Sequence, residues 1–74
     1  MITTEIHIEI DNDYLYLEKD GKEYKFALKD LSNRLFEATL ADKINFIVSP
    51  SGYGIHWPTL DEDLSIQAMI KTLN

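Results

Sequence analysis

The sequence has 74 residues, of which 45% are hydrophobic and 27% are charged, a composition typical of one globular domain spanning 1–74. The formal net charge is -6, which argues against direct binding to the phosphate backbone of nucleic acids. No apolar run reaches the ~18 residues of a membrane helix, and we expect no secretory signal because the N-terminus has no basic start. Because there is no cysteine for disulfide or thiolate chemistry, we expect a cytoplasmic protein.

The first third of the chain has the pattern of three antiparallel strands. Isoleucines alternate with polar residues over 3–10, which is the period of a half-buried strand. Turn-forming residues follow at 11–13, and two segments rich in aromatic residues, 14–18 and 22–28, predict two further strands. The Asp20-Gly21 dipeptide between them predicts a hairpin.

The register of this hairpin decides which side chains enter the core. A two-residue loop at the Asp-Gly dipeptide would place Lys19 opposite Lys22 and Glu18 opposite Glu23, and like charges that face each other across strands are destabilising. A three-residue loop that also includes Lys19 pairs Glu18 with Lys22 instead, so we predict this register. It directs the aromatic side chains of both strands to the apolar face.

Leu15 and Leu17 would then point to the opposite, mostly charged face of the hairpin. Covering them would stabilise the protein by ~1.5–3 kcal/mol each, and so short a chain benefits from extra burial. We therefore expect these leucines to contact another chain, either in a symmetric homodimer or in a complex with a partner. In the two-residue register they would be core residues, and this contact would have no basis.

The remainder of the chain alternates helical and extended patterns. Asp30 or Ser32 begins a short helical region, 46–48 and 55–57 read as strands, and Ser65 begins a final amphipathic helix. The pattern predicts an α+β fold with a small, mainly antiparallel sheet and helices packed on one face. The predicted order is strand, strand, strand, helix, strand, strand, helix.

One segment is richer in chemically active side chains than the rest. It contains His56 and Trp57, followed closely by the carboxylates of Asp61, Glu62 and Asp63. Imidazole and carboxylate groups together suit a metal site or acid–base chemistry, so these residues are candidates for a ligand or partner surface.

A structural role explains the same segment more simply, and we prefer it. Trp57 would anchor the core, His56 would face solvent, and the carboxylates would favour the N-terminus of the final helix. Gly52, Gly54 and Pro58 would shape the turns around the short strand. We predict no metal site, no cofactor and no enzymatic activity, because a catalytic metal usually needs three protein ligands and no nucleophile motif is visible.

Several stretches give the chain a family resemblance. In their order and spacing they resemble the small bacterial proteins of domain-of-unknown-function family 2442: Leu35-Phe36-Glu37-Ala38-Thr39, Asn45-Phe46, Gly52-Tyr53-Gly54-Ile55-His56-Trp57-Pro58 and Leu60-Asp61-Glu62-Asp63-Leu64-Ser65. The family's usual apolar positions before the Asp-Gly turn fall on Tyr14 and Tyr16, in agreement with the predicted register. The chain departs from the family at Asp42-Lys43, where a Gln-Arg pair is usual.

The resemblance implies a compact α+β fold and no established activity. Members of the family are often encoded beside another small uncharacterised family, which has prompted a toxin–antitoxin suggestion, and some carry an added helix-turn-helix domain. This sequence shows no such domain, so we expect it to reach DNA only through a partner. Together with the acidic charge, the resemblance leads us to expect a non-enzymatic interaction module that resembles an antitoxin. We expect its partner to be a small basic protein encoded by a neighbouring gene. The alternative is a small-ligand or metal-binding domain built on the segment from His56 to Asp63.

Overall fold

The computed structural model describes residues 6–73, and these residues form two small antiparallel sheets and four short helices. This confirms the predicted α+β class. The first sheet has the order β1-β2-β3, with β1 at Ile6–Ile10, β2 at Tyr14–Lys19 and β3 at Lys22–Ala27. Residues 3–5 of the predicted first strand lie outside the described residues.

The second half of the chain contains the helices and the second sheet. Three helices follow β3, namely α1 (Leu28–Leu31), α2 (Asn33–Glu37) and α3 (Leu40–Ile44). The second sheet has the order β4-β5-β6, with β4 at Ile47–Val48, β5 at Gly54–Trp57 and β6 at Glu62–Ser65, and α4 (Ile66–Lys71) follows it. The predicted order lacked β6 and placed all strands in one sheet. No helix in the described part of the chain has the length and apolar character needed to span a membrane.

Side-chain caps explain where α2 and α4 begin. The Ser32 hydroxyl accepts a hydrogen bond from the Leu35 amide at 3.2 Å, and the Ser65 hydroxyl accepts one from the Ala68 amide at 3.2 Å. Each bond satisfies an amide that has no partner inside its helix. Ser65 is the predicted cap of the final helix, and of the two predicted starts of the helical region Ser32 caps α2.

The hairpin between β2 and β3 has the two-residue loop, so the predicted three-residue register is wrong. Lys19 pairs with Lys22 and Glu18 with Glu23, as the two-residue alternative required. Both loop residues have positive φ, 52° at Asp20 and 82° at Gly21, as the two-residue turns typical of hairpins require. The family's usual apolar positions also misled the prediction.

Burial of the two leucines determines this register. Leu15 and Leu17 are 0% and 1% exposed, whereas Tyr14 and Tyr16 point outward and are 38% and 37% exposed. Burying each leucine contributes ~1.5–3 kcal/mol, while each like-charge pair opposes this by only a few tenths of a kcal/mol. Leu15 and Leu17 are therefore core residues, and the predicted leucine contact with a homodimer mate or another partner is wrong.

Both sheets contribute to one hydrophobic core. Ile8, Leu15, Leu17 and Phe26 come from the first sheet, and Ile55 and Trp57 from the second; α1, α2 and α4 add Leu28, Leu35, Ile66 and Met69. The helices thus pack on the inner faces of the sheets, and the outer face of each sheet faces solvent.

The core position of the β2 leucines can be tested with charged substitutions. We expect the double variant Leu15→Lys/Leu17→Lys to unfold, because two ammonium groups would be buried without partners. The matched control, Tyr14→Lys/Glu18→Lys, changes outward positions of the same strand and should remain folded. Circular dichroism and thermal unfolding report the outcome, and a cooperative native-like melt in the leucine variant would contradict the described register.

Candidate functional site

The hairpin of β5 and β6 divides the predicted site between two faces of the second sheet. His56 lies opposite Asp63, and Trp57 lies opposite Glu62. Because successive side chains of a strand point to opposite faces, these two pairs are on opposite sides of the sheet. The structure therefore brings His56 and Asp63 together on the outer face and directs Trp57 into the core.

His56 and Asp63 form a hydrogen-bonded pair in a partly exposed position. His56 Nδ1 lies 2.6 Å from Asp63 Oδ1, and the two side chains are 43% and 77% exposed. The bond uses Nδ1, so Nε2 is the ring nitrogen available to a ligand. Within residues 6–73, no three His, Asp or Glu side chains converge in a way that could hold a metal ion. The other histidine, His7, lies on the first sheet, 3.7 Å from Glu9.

A groove runs over the outer face of the second sheet beside this pair. It has a volume of about 480 Å³, and Ile47, Ser49 and Tyr53 line it together with His56. The Ser49 hydroxyl oxygen accepts hydrogen bonds from the amides of Tyr53 (2.9 Å) and Gly54 (3.1 Å), so it holds the turn that leads into β5. The groove therefore offers apolar walls and one imidazole.

Trp57 is a core residue, as predicted. It is completely buried, and its indole Nε1 donates a hydrogen bond to the Lys43 carbonyl at 2.8 Å. The Phe46 ring packs against the indole with the ring centres 6.2 Å apart. Trp57 thus ties the second sheet to the end of α3.

Lys43 extends this connection to the first sheet. Its side chain is only 4% exposed, and its ammonium group donates to the Asn12 carbonyl at 2.8 Å. Asn12 belongs to the turn between β1 and β2, so one residue links that turn to Trp57. No pattern in the sequence indicated this role, because lysines are almost never fully buried and Lys43 lies in an ordinary helical pattern.

The two remaining predicted acidic residues hold the loop between β5 and β6 in place, Glu62 through its carboxylate and Asp61 through its backbone carbonyl. Glu62 accepts a hydrogen bond from the Ser32 hydroxyl at 2.6 Å, and Arg34 donates to the backbone carbonyls of Leu60 and Asp61 at 3.2 and 3.3 Å. Asp61 adopts φ 51°, a left-handed conformation that aspartate tolerates. Both residues therefore fasten the loop to α2.

The carboxylates of residues 61–63 do not lie in the first turn of the last helix, whose dipole was expected to interact with them. Residues Glu62–Ser65 form β6, and the first turn of α4 contains no acidic residue. The strand was missed because its mixed sequence has little strand propensity, and its pairing with β5 determines its conformation.

The predicted turn residues have the expected structural roles. Gly52 has φ 72°, in the region that favours glycine. A Cβ on Gly54 would lie 2.9 Å from the Leu64 carbonyl oxygen of β6, so close strand approach requires glycine there. Pro58 directly follows the last residue of β5, where it does not interrupt a strand.

The outer face of the first sheet is a candidate surface that the sequence analysis missed. We call it the glutamate–tyrosine face and define it by the outward residues His7, Glu9, Tyr14, Tyr16, Glu18, Glu23 and Lys25. A cleft of about 300 Å³ lies within it. The wrong register concealed this face, because it directed both tyrosines into the core.

A turn carboxylate fixes one of these tyrosines. Asp11 Oδ1 accepts the amides of Asp13 (2.9 Å) and Tyr14 (2.7 Å), and these bonds lower the pKa of Asp11 below its ordinary value of 3.8. Asp11 Oδ2 accepts the Tyr16 hydroxyl at 3.1 Å. Partial desolvation is the main cause that raises the pKa of Tyr16 above its ordinary value of 10.0, and the hydrogen bond to Asp11 raises it further. At neutral pH the phenol therefore remains a donor to a carboxylate.

These features define a small acidic α+β domain with two sheets around one core and two exposed outer faces. Over residues 5–73 the chain matches the family described as "Protein of unknown function (DUF2442)", and it belongs to that family. The match confirms the resemblance seen in the sequence. Searches of curated proteins and of solved structures gave no significant match.

The role of Trp57 can be measured with two substitutions. Trp57→Ala should lower the free energy of unfolding by ~3–5 kcal/mol, as is typical of buried aromatic side chains. Trp57→Phe retains a ring but leaves the Lys43 carbonyl without its donor, so we expect a smaller loss of ~1–3 kcal/mol. Urea denaturation gives both values. An unchanged melting temperature in Trp57→Ala would refute the structural role.

Proposed function

We propose that this protein is a non-enzymatic interaction module of the bacterial cytoplasm that binds a small basic partner protein, in the manner of an antitoxin. The observation that carries this proposal is that the carboxylates of the described chain form no ion pair with a lysine or an arginine. Within residues 6–73 only two ion pairs form, and both use a histidine rather than a lysine or arginine. The carboxylates thus lack internal partners among the strong cations of the described chain.

Two of those cations are engaged elsewhere. The Lys43 ammonium group donates to the Asn12 carbonyl, and the Arg34 guanidinium group donates to the carbonyls of Leu60 and Asp61. Neither group forms an ion pair with a carboxylate of the described chain. Complementary charge accelerates encounter and discriminates against wrong partners, so an unneutralised surface favours a basic protein as the partner.

The product of the neighbouring gene provides the test. We expect it to be basic and to bind this protein at low salt in isothermal titration calorimetry. Binding should weaken strongly at ~0.5 M salt, because screening shortens the range of charge interactions. Hen lysozyme serves as a control, because it is a basic protein that is unrelated to the partner. An acidic neighbour, a neighbour that does not bind, or one that binds no better than lysozyme would contradict the proposal.

The groove beside His56 supports a second candidate function, the binding of a small apolar molecule with a hydrogen-bonding group. The supporting observation is the His56–Asp63 bond of 2.6 Å at the edge of an apolar groove of about 480 Å³. Ligand sites of this kind combine apolar walls with a few polar groups. The rest of the predicted segment faces elsewhere and would not take part.

A phenolic probe and a metal test examine this second candidate together. p-Cresol should shift the NMR signals of His56 and Ile47, and the variant His56→Ala should lose the response while the control His7→Ala keeps it. EDTA should leave the melting temperature of untagged protein unchanged, because a structural metal would contribute folding free energy. No shift with p-cresol would exclude this ligand class, and a melting temperature lowered by EDTA would reveal a metal site.

A further inference from the structure

Two glutamates face each other across neighbouring strands on the glutamate–tyrosine face. Glu18 and Glu23 are direct cross-strand partners, and neither forms an ion pair with a cation of the described chain. Like charges opposite each other destabilise a sheet. The register that opposes them is determined by the leucines on the inner face, so the two carboxylates remain paired. A cation placed between them from outside would relieve the repulsion.

The same face already holds a cation of the chain itself. The Lys25 ammonium nitrogen lies 4.1 Å from the centre of the Tyr14 ring and 5.8 Å from the centre of the Tyr16 ring. Cations are attracted to the faces of aromatic rings at such distances. The hydrogen bond to Asp11 fixes the Tyr16 phenol, which lines the cleft together with Glu18 and Glu23. The cleft thus combines this hydrogen-bonded ring with three glutamates and the Lys25 side chain.

We propose that the glutamate–tyrosine face is the docking surface for the basic partner, and that the cleft receives an arginine side chain of that partner. A guanidinium group is planar, binds a carboxylate with two parallel hydrogen bonds and stacks on an aromatic ring. Glu18 and Glu23 provide carboxylates and Tyr16 provides an aromatic ring in one cleft of about 300 Å³. This inference rests on the proposed function, and it adds the surface and the side chain that the surface recognises.

The negative charge of this face disfavours two other occupants, a second copy of the chain and a nucleic acid. A second copy of the chain would bring the same glutamates against themselves and would add a net charge of -6. Nucleic acid would bring phosphates against carboxylates, and phosphate backbones bind to lysine and arginine. A basic segment is the occupant whose charge complements the face.

A hexaarginine peptide is the probe for this proposal. Titrated into the full chain at low salt, it should shift the NMR signals of Tyr16, Glu18 and Glu23. The variant Glu18→Gln/Glu23→Gln should raise the Kd about three- to tenfold, because it removes two exposed ion pairs. The matched control, Asp30→Asn/Glu37→Gln, removes the same charge from exposed helical positions and should change the Kd much less.

The tyrosine and the arginine have controls of their own. Tyr16→Phe retains the ring but loses the hydrogen bond to Asp11 that fixes it, so it should bind the peptide more weakly than the wild type and more tightly than Tyr16→Leu. Hexalysine should bind more weakly than hexaarginine, because an ammonium group neither forms two parallel hydrogen bonds with a carboxylate nor stacks on an aromatic ring. Equal affinity for the two peptides would overturn the assignment of the cleft to arginine.

The outcomes separate this inference from the function on which it rests. If hexaarginine binds but the two double variants weaken it equally, or if its shifts map to the second sheet, the docking surface is wrong while a basic partner remains supported. If the wild type fails to bind the peptide but binds its basic neighbour, this surface assignment alone fails. If it binds neither, both fail. Shifts of Tyr16 and Glu18 that depend on protein concentration alone would assign the face to a second copy.

Discussion

The hydrogen bond from the Trp57 indole to the Lys43 carbonyl is the contact on which the arrangement of the two sheets depends. Lys43 also directs its ammonium group to the Asn12 carbonyl of the turn between β1 and β2. A single helical residue therefore receives a bond from one sheet and donates a bond to the other. Trp57 and Lys43 are both buried, so removing either side chain would leave a carbonyl oxygen without its hydrogen-bond donor. This connection joins the two sheets beside their shared core, which burial of the apolar side chains forms.

The sequence specified the class of the fold and several of its details, because those features are local. Alternating isoleucines, the Asp-Gly turn and the Ser65 cap each act within a few residues. Burial of Trp57 was also predictable, since one large aromatic in so small a chain has few alternatives to the core. Where several local signals agree, the structure follows them.

The remaining features depend on contacts between distant residues and on the balance of opposing energies, which local sequence patterns do not reveal. The hairpin register was decided by burial of Leu15 and Leu17, which outweighs repulsion between exposed charges. Strand β6 forms because β5 pairs with it, and the role of Lys43 depends on a turn distant in sequence. The candidate surface was missed for the same reason, because the register determines which residues of β2 and β3 face outward.

The order of the strands has a consequence for the folding pathway. Each sheet is a meander in which every strand pairs with a neighbour in the chain, so all strand pairings close short loops. Chains with such local contacts fold quickly. The bond from Lys43 to Asn12 joins residues 31 apart, a larger separation than any strand pairing spans. Closing this longer loop costs more entropy, so we expect the bond to form after the hairpins. Weakening it should then accelerate unfolding more than it slows folding.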